Sequence, residues 1–514
     1  MTDPEALAGF DRFVVSTLGG LAERDPERAT LWGARDHDDR LTDRSLDACA
    51  ERARYIRERL ADLERMEAAA LDPARAGDRE VLRRGLARDL VRLELADEPR
   101  RRPDSYLPFA AIFALLAWDH DVFQRRFEPL VARLKALPET LAAAERNLDQ
   151  PARLHVDLAL AQIDGAQDFL QSLAPSLKPL LGDIPWGGER LSDATLAGVE
   201  ALARYRVFLA ETILPRAQDS LAMDPAGFAR LVDAPLDVLA ATSSRAVLAS
   251  TPPPAAQEPQ TTAAIKDAYR KEVDRLVRLV AQSDLVTLPH GTRLRVIEAP
   301  AFLRPVVTSA VHLQPPPLVA DDGGLLAVNP APLYAHGGAW RAIVAAHDTY
   351  PGHHLQRVVA RRGASPLRAC FPSPACDLGW ALYAVTLVGE ASDAGDAGRD
   401  LVAAARERAA ARARVDLGLH TQGMAVREAR TLLVEMAGFS RLEADAELRA
   451  VAAAPGAAAA EMAGFEQLLA LRGELARRDG PRFSIKGFHD AVLAEGSVPL
   501  DRLRLRLLGG GDGG

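Results

Sequence analysis

"AWRAIVAAHDTYPGHHLQRVVARR", residues 339–362, carries three of the eleven histidines of the chain. The stretch is apolar before His347 and apolar again after His354, so it reads as a buried helix that polar residues interrupt. Pro351 has no N–H to donate, and its ring collides with the carbonyl four residues back, which is that of His347. The helix must therefore kink, widen or break at this point. Across such a break His347 and His353 can converge. On an uninterrupted helix it is His354, seven residues on, that nearly shares the face of His347. The spacing leaves both arrangements open. Zinc peptidases write such a helix as His-Glu-x-x-His, with two ligands on one face and a general base between them. Here the acid is Asp348, and Pro351 stands where the second histidine belongs. A plainer reading is a core helix whose histidines bond their neighbours.

Working outward, the texture on the N-terminal side is β-branched and punctuated by Pro and Gly. "LVTLPHGTRLRVIEAP" (285–300), "PVVTSAVHLQPP" (305–316) and "GGLLAVNP" (323–330) predict the strands of one small mixed sheet. Upstream, residues 1–284 read as a helical region. Apolar residues recur at helical spacing in 45–66, 78–97, 124–147, 154–173, 194–222 and 261–284. Ser192 or Asp193 is a plausible N-cap. The proline-rich "ASTPPPAAQEPQ" (249–260) reads as an exposed loop. Helices resume near 338 and run to about 480, and one or two short helices close the chain. The expected fold is mainly α, a large helical body with one small β-sheet preceding the histidine helix, in two regions, 1–284 and 285–514.

Bulk composition narrows the partners. A net charge of −8 argues against nucleic acid or an anionic membrane. The three cysteines, Cys49, Cys370 and Cys376, do not make a disulfide framework, and the last two read as free thiols. The first residues have neither a basic nor an apolar signal region, and there is no run of about 18 apolar residues that could span a bilayer. The chain is expected to be cytoplasmic.

Four blocks together resemble a bacterial family catalogued as "domain of unknown function 885". "HDTYPGHHLQ" (347–356) is similar to its His-Glu-x-x-Pro-Gly-His-His-x-Gln signature. "LGWALYA" (378–384) is similar to Glu-Gly-Trp-Ala-x-Tyr-x-Glu. "RARVDLGLHTQGMAVREA" (412–429) resembles an Arg-x-x-x-Asp-x-Gly-x-His segment, and "FSIKGFHDAVLAEGSVPL" (483–500) its closing Phe-His-Asp. The match is specific over roughly 285–505. The resemblance implies a mostly helical, zincin-like fold, and members are regarded as candidate zinc metallohydrolases.

The departures from those motifs carry as much information. Asp348 replaces the glutamate base and withdraws the carboxylate by about one C–C bond, roughly 1.5 Å. Leu378 replaces the glutamate whose distance behind the histidines fits a third zinc ligand, and leucine binds no metal. Asp377, one residue earlier, substitutes only if the backbone rotates. Val385 stands for a second glutamate, and Glu461 for a tyrosine. Arg412, Asp416 and His420 are retained at i, i+4 and i+8, one helical stripe in which an aspartate can fix the tautomer of a histidine. Tyr383, Trp380, His489 and Asp490 are retained as well.

These residues lead to an expected enzyme of non-standard site. His347, Asp348, Tyr383, His420, Arg412 and Asp416 are the candidate catalytic residues, and His347, Asp348, His353, Tyr383 and His420 are expected to line one cleft. His347 and His353 form a weak or vestigial metal pair, with His354 or Asp377 as further candidates, so the cofactor is either none or weakly held zinc. The leading expectation is a repurposed enzyme performing elimination, cyclisation or acyl transfer on a small amino-acid-like or peptide-like molecule in specialised biosynthesis. The alternatives are a zinc peptidase with a rearranged ligand set and a non-catalytic subunit bound to a small protein partner.

Overall fold

A computed structural model describes residues 4–118, 121–182, 184–243, 261–319, 321–331, 333–392 and 396–509. The proline-rich stretch 249–260 lies outside them. The main helices of the N-terminal region are α1 (Pro4–Arg24), α2 (Leu46–Arg65), α3 (Pro73–Leu90), α4 (Phe123–Asn147), α5 (Arg153–Leu177), α6 (Gly187–Phe208), α7 (Pro225–Val232) and α8 (Thr262–Ser283). A small sheet comes next, and then α9 (Gly338–Asp348), α10 (His353–Gly363), α11 (Pro374–Ala391), α12 (Asp396–Thr421), α13 (Arg441–Ala453), α14 (Ala457–Asp479), α15 (Ile485–Ala494) and α16 (Leu500–Gly509). The molecule is mainly helical with one three-stranded sheet, as the periodicities lead one to expect.

Helix boundaries follow local chemistry. Ser45 caps α2 by accepting the Ala48 N–H at 3.3 Å. α3 begins five residues before the position the apolar repeat suggests. The Asp72–Pro73 pair starts it: the aspartate accepts the Arg75 N–H at 2.8 Å, and the proline occupies a first-turn site where no N–H is needed. Neither Ser192 nor Asp193 caps a helix. Both lie inside α6, which starts behind Trp186, a residue in the left-handed region with φ of 56°. α6 also ends well before 222, passing at Leu209–Ile213 into one wider turn.

The strands are β1 (Arg293–Glu298), β2 (Ala310–Leu313) and β3 (Gly323–Val328), in spatial order β1-β3-β2. β1 runs parallel to β3 and β2 antiparallel to it, so the sheet is mixed. Central β3 is the apolar strand, with Leu325 to Val328 all buried. The largest apolar core joins Phe10, Ile56 and Leu86 of α1–α3 to Trp380, Phe465 and Leu503 of the C-terminal helices. α4, α5 and α6 build a second core around Phe127, Ile163 and Leu202, closed by Phe302. Among the described residues no helix is long and apolar enough to cross a membrane.

Pro351 does break the histidine helix. α9 stops at Asp348, the Tyr350–Pro351 peptide is cis, and α10 starts at His353. The break is tied down on every side. The Leu355 N–H reaches back to the Thr349 carbonyl at 3.2 Å, the Thr349 hydroxyl bonds the Ala345 carbonyl at 2.6 Å, and the Trp380 indole N–H donates to the Pro351 carbonyl at 3.0 Å. Gly352 packs against the end of α9 so tightly that a β-carbon would lie 1.9 Å from the His347 carbonyl oxygen and 2.4 Å from that of Ala346. These are backbone atoms and cannot swing away. Gly352→Ala is therefore expected to cost about 3 kcal/mol through overpacking. Gly363→Ala, whose β-carbon would meet nothing closer than 3.9 Å, should change stability by less than about 1 kcal/mol. Urea denaturation midpoints of the two variants check this.

Candidate active site

Four elements converge at the break. α9 ends in His347 and Asp348, and β2 passes beside them: the His312 backbone N–H donates to Asp348 Oδ1 at 2.9 Å. α11 and α14 approach more closely than side chains would allow, because they cross at two glycines. A β-carbon on Gly464 would sit 1.8 Å from the Ala375 carbonyl oxygen, and one on Gly379 would sit 2.4 Å from the Gly464 carbonyl carbon. That crossing puts Leu378 of α11 and Glu461 of α14 on the wall of the same cleft as His347. α12 and α13 complete it with Arg408, Arg412, Glu443 and Glu447, and the cleft encloses about 290 Å³.

The centre of the cleft is an ion cluster. His347 Nδ1 lies 3.3 Å from Asp348 Oδ2, and Nε2 lies 3.2 Å from Glu461 Oε1. The other oxygen of Glu461 accepts from Arg412 Nη2 at 2.7 Å. A ring with an acceptor at each nitrogen is fully satisfied only when both nitrogens carry hydrogen. Burial works against that charge, but Asp348 and Glu461 outweigh it and raise the His347 pKa to about 9. Burial likewise opposes the charge on Glu461, and Arg412 and His347 overcome it, holding the carboxyl at about 2. Two cations thus face two anions, and the side chain of His347 keeps 24% exposure. Glu447 is different. Among the described residues it has no hydrogen-bond partner, and burial with Glu461 nearby raises its pKa above the usual carboxylate value against the pull of Arg412. Arg408 is held between the Trp340 and Phe439 rings, 3.9 and 4.0 Å from their centroids, and donates to Glu443 at 3.1 Å.

Of the two histidines after the break, His353 is the one beside His347, its ring perpendicular at 5.1 Å between centroids, but it is not among the residues that line the cleft. Its Nδ1 is 3.3 Å from Gln356 Oε1, and burial with His347 and Arg357 nearby lowers its pKa to about 4. His354 turns the other way, under the sheet, with Nδ1 3.3 Å from His312 Nε2. Asp377 is taken by Arg357 in a 2.6 Å ion pair.

The stripe of Arg412, Asp416 and His420 on α12 splits into three jobs. Arg412 faces the cleft. Asp416, fully buried, accepts the Gly456 and Ala459 N–H groups at 3.0 and 3.1 Å and so caps the start of α14. His420 lines a different cavity and is not among the residues lining the His347 cleft. Tyr383 does not line that cleft either. It is wholly buried on α11, where its hydroxyl meets His489 Nε2 at 2.9 Å and accepts from Arg472 at 3.3 Å. His489 in turn bonds the Leu285 carbonyl at 2.7 Å, so this retained pair ties α15 to α11. The three cysteines are free and buried, and burial pushes the Cys370 and Cys376 thiols up to about 12.

The donor set fits zinc poorly. Both nitrogens of His347 meet carboxylates, Asp377 is spent on Arg357, and Leu378 stands at the third position. Among the described residues no three His, Cys, Asp or Glu side chains are grouped to hold a metal ion. What the cleft offers instead is a proton donor, an unpartnered carboxylate and a guanidinium. Sequence reasoning missed Glu447 and Arg408, which look like ordinary surface charges of amphipathic helices. Glu461 left one signal, an acid where the resemblance set out above leads one to expect tyrosine.

No curated protein sequence matches the chain. The solved structures that share its fold include two bacterial ones. One, a "putative lipoprotein of unknown function" from Shewanella oneidensis, is 18% identical over 97% of this chain and 99% of that one, with a TM-score of 0.73. The other, a "putative lipoprotein" from Colwellia psychrerythraea, is 14% identical over 98% of both chains, with a TM-score of 0.77. At such identities the likeness concerns the fold alone. The sequence profile of the family described as "Bacterial protein of unknown function (DUF885)" matches residues 26–236 and 232–507. The chain belongs to that DUF885 family.

Proposed function

We propose that the cleft is the active site of a repurposed zincin-like enzyme that moves protons on a small amino-acid-like or peptide-like substrate, as in elimination, cyclisation or acyl transfer. One observation carries the reading: an imidazole set between two carboxylates shares a 290 Å³ cleft with a carboxylate that has no hydrogen-bond partner among the described residues. Paired titratable groups whose surroundings push them toward opposite roles are the usual mark of acid–base catalysis. Glu447, as carboxylate, takes a proton from the substrate. His347, as imidazolium, gives its Nε2 proton to a substrate oxygen or leaving group. Arg412 orients a substrate carboxylate, and Asp348, held by the β2 amide, fixes the His347 ring. The volume is at the small end of ligand sites, about 300–1,000 Å³, which suits an amino acid or a short derivative. The zincin-like ancestry is supported by the histidine-bearing helix that follows a small sheet, and a cytoplasmic setting by three buried thiols that are all unpaired.

Proton abstraction next to a carbonyl leaves a mark even when the full reaction is unknown, because the substrate exchanges with deuterated solvent. A panel of amino acids and dipeptides incubated in D₂O should include at least one whose Cα signal is lost in proton NMR. Glu447→Gln and His347→Gln should each slow that exchange by about 10²-fold or more. Failure of every compound to exchange, or full activity in Glu447→Gln, would remove the proposed base.

The two groups also fix a pH profile. His347 is raised to about 9, so the acid is present below that value and the rate falls as pH rises through about 9. Glu447 is raised above the usual carboxylate range, so the rate falls again on the acid side, where the base becomes protonated. The same sign holds for stability. What His347 contributes to folding is complete below its unfolded pKa of about 6.5 and is lost as pH rises through about 9. Proton NMR of His347 against pH, beside the exchange rate, checks both.

Zinc is expected to bind weakly, because two imidazoles without a third ligand make an incomplete site. Leu378→Glu should raise zinc affinity at least tenfold in equilibrium dialysis. Stoichiometric zinc retained by the unmodified protein against a mild chelator would show that another residue has taken the third position.

A further inference from the structure

The second cavity has no role in the chemistry above, yet it is larger, about 540 Å³, and it abuts the cleft: Leu378, Ala454 and Ala457 line both. Its wall is mixed, with an apolar side of Leu221, Met223 and Leu231. On it sits His420, 2% exposed. The ring is fixed in place. Phe228 stacks on it at 5.7 Å and 23°, and the His420 carbonyl accepts the Met223 N–H at 2.8 Å. Nδ1 lies 2.9 Å from both the carbonyl and the Oδ1 of Asp416. Both of those atoms are acceptors, so Nδ1 carries the hydrogen and, in the neutral ring, Nε2 is left as a bare acceptor. Nε2 is buried and has no partner among the described residues. A buried polar atom without a partner is unfavourable, and a tautomer fixed so that this atom accepts only would be satisfied by a donor reaching it from the cavity.

We propose that this cavity is a binding compartment for the non-reacting part of the substrate, an apolar body bearing one hydrogen-bond donor that His420 Nε2 accepts, with Leu378 as the partition across which the reacting end enters the His347 cleft. The assignment rests on the reading of that cleft as the active site. It also gives the substituted position a purpose. A glutamate at 378 would place a charge at the shared wall of two compartments, whereas leucine keeps that wall apolar and packs against the cluster that holds Phe228 and Val232.

Indole and 1-methylindole test the donor directly, because they have nearly the same shape and only the first has an N–H. Calorimetric titration of the full chain should give indole an affinity about five- to tenfold higher than 1-methylindole, the range of one hydrogen bond. His420→Leu should abolish the difference. If that variant does not fold, the pair on the unmodified protein still decides. Equal binding of the two, or no binding of either, overturns the proposal and leaves an ordered water as the partner of Nε2. Continuity is read from indole-3-butyrate, whose chain carries a carboxylate that can cross toward Arg412. Leu378→Trp should weaken indole-3-butyrate at least fivefold more than indole, and an equal effect on both would separate the two cavities and overturn the partition. None of these readouts depends on turnover, so they can fail while His347 titrates as argued, or hold while it does not.

Discussion

The backbone of Gly352 lies against the carbonyls of Ala346 and His347 with no room for a β-carbon, and the site depends on that contact. It lets α9 end and α10 begin within a few residues, so His347 and Asp348 sit at a helix terminus instead of a helix middle. An uninterrupted helix would have aligned His354 with His347. The break rotates α10 so that His353 comes to His347 and His354 goes beneath the sheet, with His312. Its fastenings come from α9 itself and from Trp380, a residue of the block that follows. The two stretches are therefore one structural unit.

Leu378 and Glu461 line the same cleft from two crossing helices, and together they set what the unit can do. α11 brings an apolar side chain and α14 a carboxylate, where the close glycine crossing holds the two helices together. That carboxylate reaches His347 and Arg412 at once. In water such contacts are worth little, but in a buried cluster each charge must be matched. Asp348 and Glu461 match His347 and Arg412 without an ion. Those four groups neutralise one another, and Glu447 is left as the carboxylate without a hydrogen-bond partner among the described residues.

Much of this was legible in the chain. Short β-branched stretches bounded by Pro and Gly located the sheet, and the clash expected of Pro351 located the break. The apolar repeat over 45–66 located α2, and the Asp72–Pro73 pair could have marked the start of α3. Choosing between His353 and His354 was out of reach, because the answer depends on the rotation across residues 349–352 and no periodicity encodes it. The i, i+4, i+8 stripe of Arg412, Asp416 and His420 was real, but a helix of that length passes more than one cavity, so residues on one face end in different places. Tyr383 shows the limit of a motif position as a guide. Its hydroxyl bonds His489 in the core, and a buried polar pair of this kind is as intolerant of change as a catalytic one.

Asp416 makes the same point from the other side. Its spacing suggests a carboxylate that orients His420, and at 2.9 Å it does so. It also accepts two N–H groups at the start of α14, the helix that carries Glu461 five residues beyond the Gly456 cap. One side chain therefore sets the tautomer of a histidine in the larger cavity and seats the helix that brings a carboxylate into the smaller one. Leu378 lies between the two, on the helix that crosses α14. α14 thus belongs to both sites: its start is seated by the side chain that orients His420, and its second turn carries the carboxylate beside His347.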